Sequence, residues 1–408
     1  MSSNELANFS RRVNDQLFGH ILPFWCGPAL DHEQGGWMGW LSNDLKPDRT
    51  RPKGLIVNSR ILWAFSAVYR ARPETLLRQL ADRASDFCAN RFWDGQFGGA
   101  FWQLDDTGRV LDDSKKIYGQ AFYIYALAEY HQAFGAPAAL ERAVELFELI
   151  ERHAHDSQNG GYWEVRRRDW SEAGADARLS EKDMNEKKSM NNHLHVLEAY
   201  TNLYRVWKDW RVEQRLRELI VLFRQRILDA RTHHLHHFFN EAWRVRSDTY
   251  TFGHDIEASW LLCEAAGVLG DAALLKDVRG TALHMADTAL NEGVAEDGSL
   301  CYEGKGGQII DQGKECWPQA EAVIGFLNAF QFSGDEKYLE ASLRVWDFIE
   351  QHLVDRVHGE WFWRITPEGL VDAALPKVSE WKGPYHGSRA CLETLHRLRA
   401  IATAKEQP

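Results

Sequence analysis

Three of the 17 histidines in the chain lie beside residue types that suit acid–base chemistry. Histidine ionises near neutral pH, so its imidazole is the first candidate for a general acid or base. In the segment MNNHLHVLEAY, His195 lies four residues after Asn191 and three before Glu198, which places all three on one stripe of a helix. His193 points about 200° away from that stripe and is predicted to be a structural residue.

The other two histidines lie at the start of predicted helices. In TFGHDIEASWLL, Glu257 follows His254 by three residues, so we expect its carboxylate to orient the imidazole. In EWKGPYHGSRACLE, His386 opens the last predicted helix, on which Arg389 and Glu393 are spaced to form an ion pair. For each of these histidines a purely structural role is the alternative.

Other polar residues interrupt apolar helical segments, where a buried polar group is costly unless it is paired or used. These are Arg60 in NSRILWAF, Tyr118 in KKIYGQAF and Glu321 in CWPQAEAV. We expect Arg60 to hold an oxyanion, because its guanidinium stays charged and is rigid. The cluster HHLHH (residues 233–237) has metal-binding residue types but no carboxylate at a matching spacing, so we expect no metal there.

The sequence contains no phosphate-binding glycine loop, serine nucleophile elbow or dinucleotide fingerprint. We therefore expect catalysis without a cofactor or metal. The net charge is −11 and no dense basic stripe is present, which argues against nucleic-acid binding. No apolar run approaches the roughly 18 to 20 residues of a membrane span, and the start of the chain lacks a signal-peptide core. Six scattered cysteines indicate reduced thiols, and we expect a cytoplasmic protein.

The elements that position these residues follow from an internal repeat of about 62 residues. A segment of glycine and aromatic residues recurs six times, as GGWMGW, GGAFW, GGYWE, LHHFF, GSLCY and GEWFW. Each gap between copies has the apolar spacing of two helices. One further helix at each end of the chain makes twelve helices. This predicts a single all-α domain over residues 1–408, a closed (α/α)6 barrel with short hairpins or loops at one end.

The third gap of the repeat is about 12 residues longer than the others, and the excess lies in residues 171–190. Insertions in repeat proteins often lie on the binding face, so we expect this loop to cover the mouth of a cleft; a solvated surface loop is the alternative. The 17 tryptophans suit the stacking of sugar rings, although they serve equally well as core residues.

The chain resembles the cellobiose 2-epimerases, within the N-acylglucosamine 2-epimerase superfamily. The segments that carry the resemblance are NSRILWAF, KSMNNHLHVLEAYTNLYRVW, FGHDIEASWLL, CWPQAEA and WKGPYHGSRACLE, in that order over about 330 residues. The resemblance implies an (α/α)6 barrel that inverts C2 of the reducing-end glucose of β-1,4-linked disaccharides, turning cellobiose into glucosyl-mannose and lactose into epilactose.

Carried over by motif, the resemblance implies that His254 and His386 form the acid–base pair and that His195 assists them. Support would come from Arg60, Asn191 and Glu257. The sugar sites would be lined by Tyr118, Asp183, Tyr302, Glu303, Trp317 and Trp381. Three positions depart from the usual pattern: Cys316 and Cys301 replace aromatic residues, and the last motif reads HGSR instead of HNGR.

These observations leave several functions open. The expected partner is a disaccharide or monosaccharide substrate, bound by a monomer or weak homodimer. A mannose 2-epimerase or mannose–fructose isomerase of the same superfamily is the nearest alternative. A glycoside hydrolase or lyase on the same barrel would need two carboxylates that face the scissile bond. A non-catalytic sugar-binding barrel would explain the tryptophans but not the three histidines.

Overall fold

The computed structural model describes residues 3–174, 176–181 and 183–406. Thirteen α-helices form within these ranges: α1 (Ser3–Gln16), α2 (Leu22–Trp25), α3 (Leu55–Ala71), α4 (Thr75–Phe87), α5 (Ile117–Phe134), α6 (Pro137–His153), α7 (Met190–Val206), α8 (Trp210–Leu222), α9 (Phe252–Leu269), α10 (Ala272–Thr288), α11 (Cys316–Ser333), α12 (Glu336–Phe348) and α13 (Tyr385–Glu406). A π-helical turn, Leu17–Ile21, joins α1 to α2 in one continuous element. None of these helices combines the length and the apolarity that crossing a bilayer requires.

Six helices form a closed inner ring. Helices α3, α5, α7, α9, α11 and α13 each contact the next one, and α13 contacts α3 to complete the circle. An outer helix packs on each of them: α4 on α3, α6 on α5, α8 on α7, α10 on α9, α12 on α11, and α1 on α13. The predicted (α/α)6 barrel is confirmed, and its sixth pair joins the two ends of the chain.

Burial explains which helices lie inside. In α5 every residue from Ile117 to Glu129 is buried, because neighbours flank the helix on both sides. In the outer helix α4 only one stripe is buried, which includes Leu77, Leu80 and Ala84. An apolar stripe on an otherwise polar helix is the pattern of a helix with one face in solvent.

Short strands and turns gather at one end of the ring. The strands are β1 (Lys53–Gly54), β2 (Gln103–Leu104), β3 (Val110–Asp112), β4 (Lys115–Lys116), β5 (Val165–Arg166), β6 (Lys188–Ser189), β7 (Phe238–Phe239), β8 (Tyr250–Thr251), β9 (Glu303–Lys305), β10 (Gln308–Asp311), β11 (Lys314–Glu315) and β12 (Arg364–Ile365). Each copy of the repeated segment makes one antiparallel bridge, for example Trp37 with Leu30 and Trp361 with Val354. The predicted hairpins are therefore confirmed.

The strands also connect neighbouring repeats. The strand that precedes an inner helix pairs with the following hairpin, as β1 does with β2, β6 with β7 and β8 with β9. Buried lysines reinforce four such junctions through ion pairs with hairpin aspartates: Lys53–Asp31, Lys115–Asp94, Lys188–Asp156 and Lys377–Asp355. These contacts lie just before the first turns of five of the six inner helices, and the candidate site is built from those first turns.

The long loop of the third repeat lies at the same end. The Lys116 ammonium, next to the start of α5, donates to the carbonyls of Arg178 and Leu179 at 3.1 and 3.0 Å. The loop is therefore attached to the hairpin end of the barrel.

Candidate active site

Every inner helix contributes a predicted site residue from its first two turns. These are Arg60 (α3), Tyr118 (α5), His195 (α7), His254 (α9), Trp317 (α11) and His386 (α13). Since all six helices begin at the hairpin end, these side chains meet around the ring axis there. The sequence could place each residue on its helix, but only ring closure brings the six together.

Trp317 lies close to both histidines of the predicted acid–base pair. Its ring centroid is 4.7 Å from that of His254 and 5.8 Å from that of His386. A Cβ atom at Gly253 would lie 2.7 Å from the indole, so glycine is needed there to make room for it. Both imidazoles therefore lie within ring-contact distance of the same indole.

Each of the three histidines is anchored through Nδ1. His195 Nδ1 lies 2.8 Å from Glu198 Oε2, and His386 Nδ1 lies 2.7 Å from Glu321 Oε1. His254 Nδ1 instead lies 2.5 Å from the Thr251 hydroxyl. Within the described residues, the Nε2 atoms of these three imidazoles have no hydrogen-bond partner. Three ring nitrogens are thus left for a substrate.

A single buried guanidinium lies behind the histidines. Arg389 is 1% exposed and donates to Glu257 Oε1 at 2.5 Å and to Glu321 Oε1 at 2.7 Å. It also pairs with Glu198, which accepts a hydrogen bond from the Tyr385 hydroxyl. Three carboxylates from α7, α9 and α11 therefore converge on one cation from α13.

The three carboxylates differ in their affinity for a proton. The pKa of Glu257 is raised to about 7, mainly by burial and also by the nearby Glu321 carboxylate, while Arg389 opposes the shift. Burial also raises the pKa of Glu321. Burial has the same effect on Glu198, but Arg389 and His195 outweigh it and lower that pKa to about 2. Glu198 is the ionised partner of Arg389, and the Glu257–Glu321 pair holds less than two full charges at neutral pH.

The acid–base candidates are neutral imidazoles. Burial lowers the pKa of His254 well below its ordinary value, and the neighbouring imidazoles lower it further. Burial likewise lowers the pKa of His386, as do the positive charges of Arg60 and Arg389. A neutral imidazole can accept a proton from carbon, which is the property a general base needs.

Arg60 connects several of the predicted sugar-binding residues. It donates to the Tyr118 hydroxyl at 3.1 Å and to the Trp381 carbonyl at 2.8 Å. The Tyr118 ring centroid lies 5.0 Å from that of His195 and 6.2 Å from that of Trp381. The structure thus brings these four residues together.

The remaining predicted residues are less closely engaged. The side-chain oxygen Oδ1 of Asn191 is buried and has no hydrogen-bond partner within the described residues, so it is free to accept a hydrogen bond. Tyr302 lies 6.4 Å from Trp317 between ring centroids, and Glu303 pairs with Thr251 across β8 and β9. Asp183 lies in the long loop.

The Asp183 carboxylate is occupied within the loop itself. It accepts from the Ser180 backbone and hydroxyl at 2.8 and 2.9 Å. Its charge still raises the pKa of Tyr118, though less than burial does. Asp183 therefore lies near Tyr118, but, among the described residues, the hydrogen bonds of its carboxylate are made within the loop and not with the other predicted site residues.

Two expected contacts are wrong. Glu257 does not orient His254, because its carboxylate faces the ring axis and pairs with Arg389, while His254 turns back to Thr251. Arg389 does not pair with Glu393, which lies 3.5 Å from Arg397 instead. The Arg389 guanidinium points towards the ring axis because its positive charge stabilises three buried carboxylates there.

Sequence reasoning also missed supporting residues. Glu321 and Arg389 were visible as charged residues on apolar helices, but their partners lie in other repeats. Tyr385 looked like an ordinary aromatic residue. Thr251 lies outside the helical pattern, so its contact with His254 had no signal in the sequence.

Two groups have residue types that suit metal ions. Among the described residues, Glu257, Glu321 and His386 place donor atoms within 4.8 Å of one another. Arg389 already supplies a positive charge to both of these carboxylates.

The histidines of the 233–237 cluster instead diverge. His234 pairs with Asp255 at 2.7 Å, whereas the His233 ring stacks on His284. His237 lies near Thr251. The cluster does not converge on one point.

The family model for N-acylglucosamine 2-epimerase (GlcNAc 2-epimerase) matches residues 36–387. Cellobiose 2-epimerase from Bacteroides fragilis is 45% identical over 386 residues, which cover 94% of this chain and 98% of that protein. Cellobiose 2-epimerase from Dictyoglomus turgidum is 37% identical over 97% of this chain and 100% of that protein. The solved structure of cellobiose 2-epimerase from Bacillus thermoamylovorans B4167 superposes with a TM-score of 0.90 at 38% identity, covering 96% of this chain and 100% of that one.

Proposed function

The chain belongs to the N-acylglucosamine 2-epimerase family, and on this premise we propose that it inverts C2 of the reducing-end glucose of β-1,4-linked disaccharides. Cellobiose would become glucosyl-mannose, and lactose would become epilactose. The observation that carries the proposal is the pair His254 and His386, which both lie beside the Trp317 indole and keep Nε2 without a hydrogen-bond partner among the described residues. The epimerases named above, 37 and 45% identical over nearly the whole chain, support the same substrate class.

The chemistry explains why two imidazoles are needed. The C2 hydrogen of a closed sugar is not acidic, but ring opening creates an aldehyde at C1 and the hydrogen next to it can then be removed. One imidazole takes this proton through Nε2, which leaves a planar enediolate. The other imidazole, which is neutral before substrate binds, first takes up a proton from solvent and then returns it to the opposite face of C2. The two roles exchange in the reverse direction.

Arg60 and His195 would stabilise the enediolate oxygens. A well-placed donor at a developing negative charge contributes about 3 kcal/mol in a water-excluded site. Arg60 is 6% exposed and held by Tyr118 and Trp381, so its charge needs little reorganisation during the reaction. Trp317 and Trp381 would contact the faces of the sugar rings. Each proposed step uses side chains of this chain.

The carboxylates favour proton transfer over glycoside hydrolysis. Hydrolysis uses two carboxyl groups that flank the scissile bond, one of them free to act as a base or nucleophile. Here the carboxylates that lie closest behind the histidines, Glu198, Glu257 and Glu321, are directed at Arg389.

We also propose that the enzyme works in the cytoplasm, as a monomer or weak homodimer that needs only its sugar substrate. All six cysteines are unpaired, which agrees with a reducing compartment.

The test offers cellobiose, lactose and mannose separately to the purified protein in heavy water, with products followed by NMR. We expect glucosyl-mannose and epilactose with deuterium at C2. Unlabelled product would rule out exchange with solvent, conversion of mannose alone would identify a mannose enzyme, and free glucose released from cellobiose would identify a hydrolase. His254→Ala and His386→Ala should each lower turnover about 100-fold or more, whereas His358→Ala, at an exposed hairpin position, should leave it unchanged.

A further inference from the structure

His254 has a different kind of partner from the other two histidines of the site. His195 and His386 are each anchored by a carboxylate, whereas His254 Nδ1 meets the neutral hydroxyl of Thr251 at 2.5 Å. A carboxylate only accepts, so it fixes the Nδ1 proton of its imidazole. A hydroxyl both donates and accepts, so by itself it leaves the proton of His254 undecided between Nδ1 and Nε2.

A second imidazole settles this choice. His237 Nε2 accepts from the Thr251 backbone N–H at 3.2 Å and lies 3.4 Å from the Thr251 hydroxyl oxygen. Because a backbone N–H can only donate, His237 Nε2 carries no proton. Burial lowers the pKa of His237 to about 4, which agrees with a neutral ring. The Thr251 hydroxyl therefore has a second imidazole neighbour whose nitrogen can only accept, and it shares this acceptor with the Thr251 backbone N–H.

His237 is held firmly enough to act as this acceptor. Its backbone N–H donates to the Ser247 hydroxyl at 2.9 Å, and its carbonyl accepts from the Met190 N–H at 2.8 Å. Its ring centroid lies 5.7 Å from that of His254. The strand contacts that join the third and fourth repeats thus fix the backbone from which the imidazole extends.

The direction of these hydrogen bonds decides what His254 can do. When the Thr251 hydroxyl donates to His237, its oxygen accepts Nδ1–H of His254, and Nε2 is free to gain and lose a proton. When the hydroxyl donates to His254 instead, the neutral ring carries its proton on Nε2 and cannot act as a base. His237 favours the first arrangement.

We propose that Thr251 and His237 are positioning residues that hold His254 in its reactive tautomer, as an uncharged counterpart of the carboxylate behind His386. The inference rests on the proposed epimerisation, in which Nε2 of His254 exchanges a proton with C2. It adds two residues that act through His254. It also accounts for the different Nδ1 partners of the two imidazoles: His386 contacts the negative charge of Glu321, and His254 contacts the dipole of the Thr251 hydroxyl.

The first experiment is steady-state kinetics of Thr251→Val, which keeps the shape of the side chain but cannot accept from His254. We expect kcat to fall about tenfold, the effect of one hydrogen bond, with little change in KM. Thr251→Ser should recover most of the loss. Thr201→Val is the matched control, because Thr201 is a buried threonine whose hydroxyl donates to the Leu197 carbonyl within α7. It should keep the parent kcat.

A second set of variants tests the role of His237. His237→Phe removes the acceptor, so kcat should fall about as far as in Thr251→Val, whereas His237→Gln offers an amide oxygen and should retain more activity. The double variant of His237→Phe and Thr251→Val should be no slower than the slower single variant, because both break one chain of hydrogen bonds. Thermal unfolding confirms that each variant is folded.

The outcomes separate this inference from the proposed function. If the parent protein does not epimerise the disaccharides, the proposed function fails whatever the variants do. If the parent is active and Thr251→Val keeps its kcat, or Thr251→Ser is equally slow, the role of Thr251 is wrong. Equal kcat for His237→Phe and His237→Gln, or additive losses in the double variant, would overturn the role of His237.

Discussion

Glu321→Gln isolates the contribution of the charge behind His386. Glu321 is fully buried; one oxygen accepts from His386 Nδ1 and from Arg389, each at 2.7 Å, and the other accepts from the Trp260 indole at 3.1 Å. Glutamine keeps the shape and an acceptor oxygen but removes the charge. The bond to His386 then changes from charge-assisted to neutral, a difference of about 1 to 2 kcal/mol.

The weaker Glu321–His386 hydrogen bond should lower kcat, because the strength of this bond depends on whether His386 is protonated. The imidazole becomes positively charged when it takes the C2 proton, and an anion behind it stabilises this form most. We therefore expect kcat to fall about 5- to 30-fold, with KM nearly unchanged because Glu321 lies behind the imidazole. Folding stability should fall by only about 1 kcal/mol, for the lost Trp260 hydrogen bond, since Glu257 and Glu198 still neutralise Arg389.

The assay compares initial rates of C2 inversion over a range of cellobiose concentrations, together with urea unfolding of each variant. Glu129→Gln is the matched control: Glu129 is also a buried carboxylate on an inner helix, but it pairs with Arg70 and Asn202, away from the histidines. It should cost stability and leave kcat unchanged. An unchanged kcat in Glu321→Gln, or an equal loss in Glu129→Gln, would refute the reasoning.

Three further predictions concern the same cluster. Arg389→Met leaves three carboxylates without their cation, so the free energy of unfolding should fall by about 3 to 5 kcal/mol; an unchanged urea midpoint would contradict this. The pKa of Glu257 rises from its ordinary 4.5 to about 7 on folding, so the stability linked to its proton is complete below pH 4.5 and lost as pH rises through 7. Glu257→Gln should therefore become more stable relative to the parent between pH 5 and pH 8, as measured by urea unfolding, and a constant difference would show that the shift is absent. Trp317→Ala should raise KM for cellobiose up to about tenfold, measured beside Trp210→Ala at an exposed position.

The sequence alone was sufficient for the architecture. A repeat of about 62 residues with two helical patterns per unit predicts a ring of helix pairs, since each pair must bury its apolar face against its neighbours. Local spacing also predicted contacts within one helix, such as that of His195 with Glu198. These predictions succeed because their geometry depends only on the helical period and on burial.

Only the tertiary structure decided which side chains of the site contact each other. Arg389 meets Glu198 from 191 positions away and Glu257 from 132, so the nearer Glu393 is not its partner. His254 turns to Thr251 in the strand before its helix, not to Glu257 on the helix itself. Contacts of this kind depend on which buried charges and hydroxyls face each other after the ring closes, and one-dimensional spacing carries no record of that.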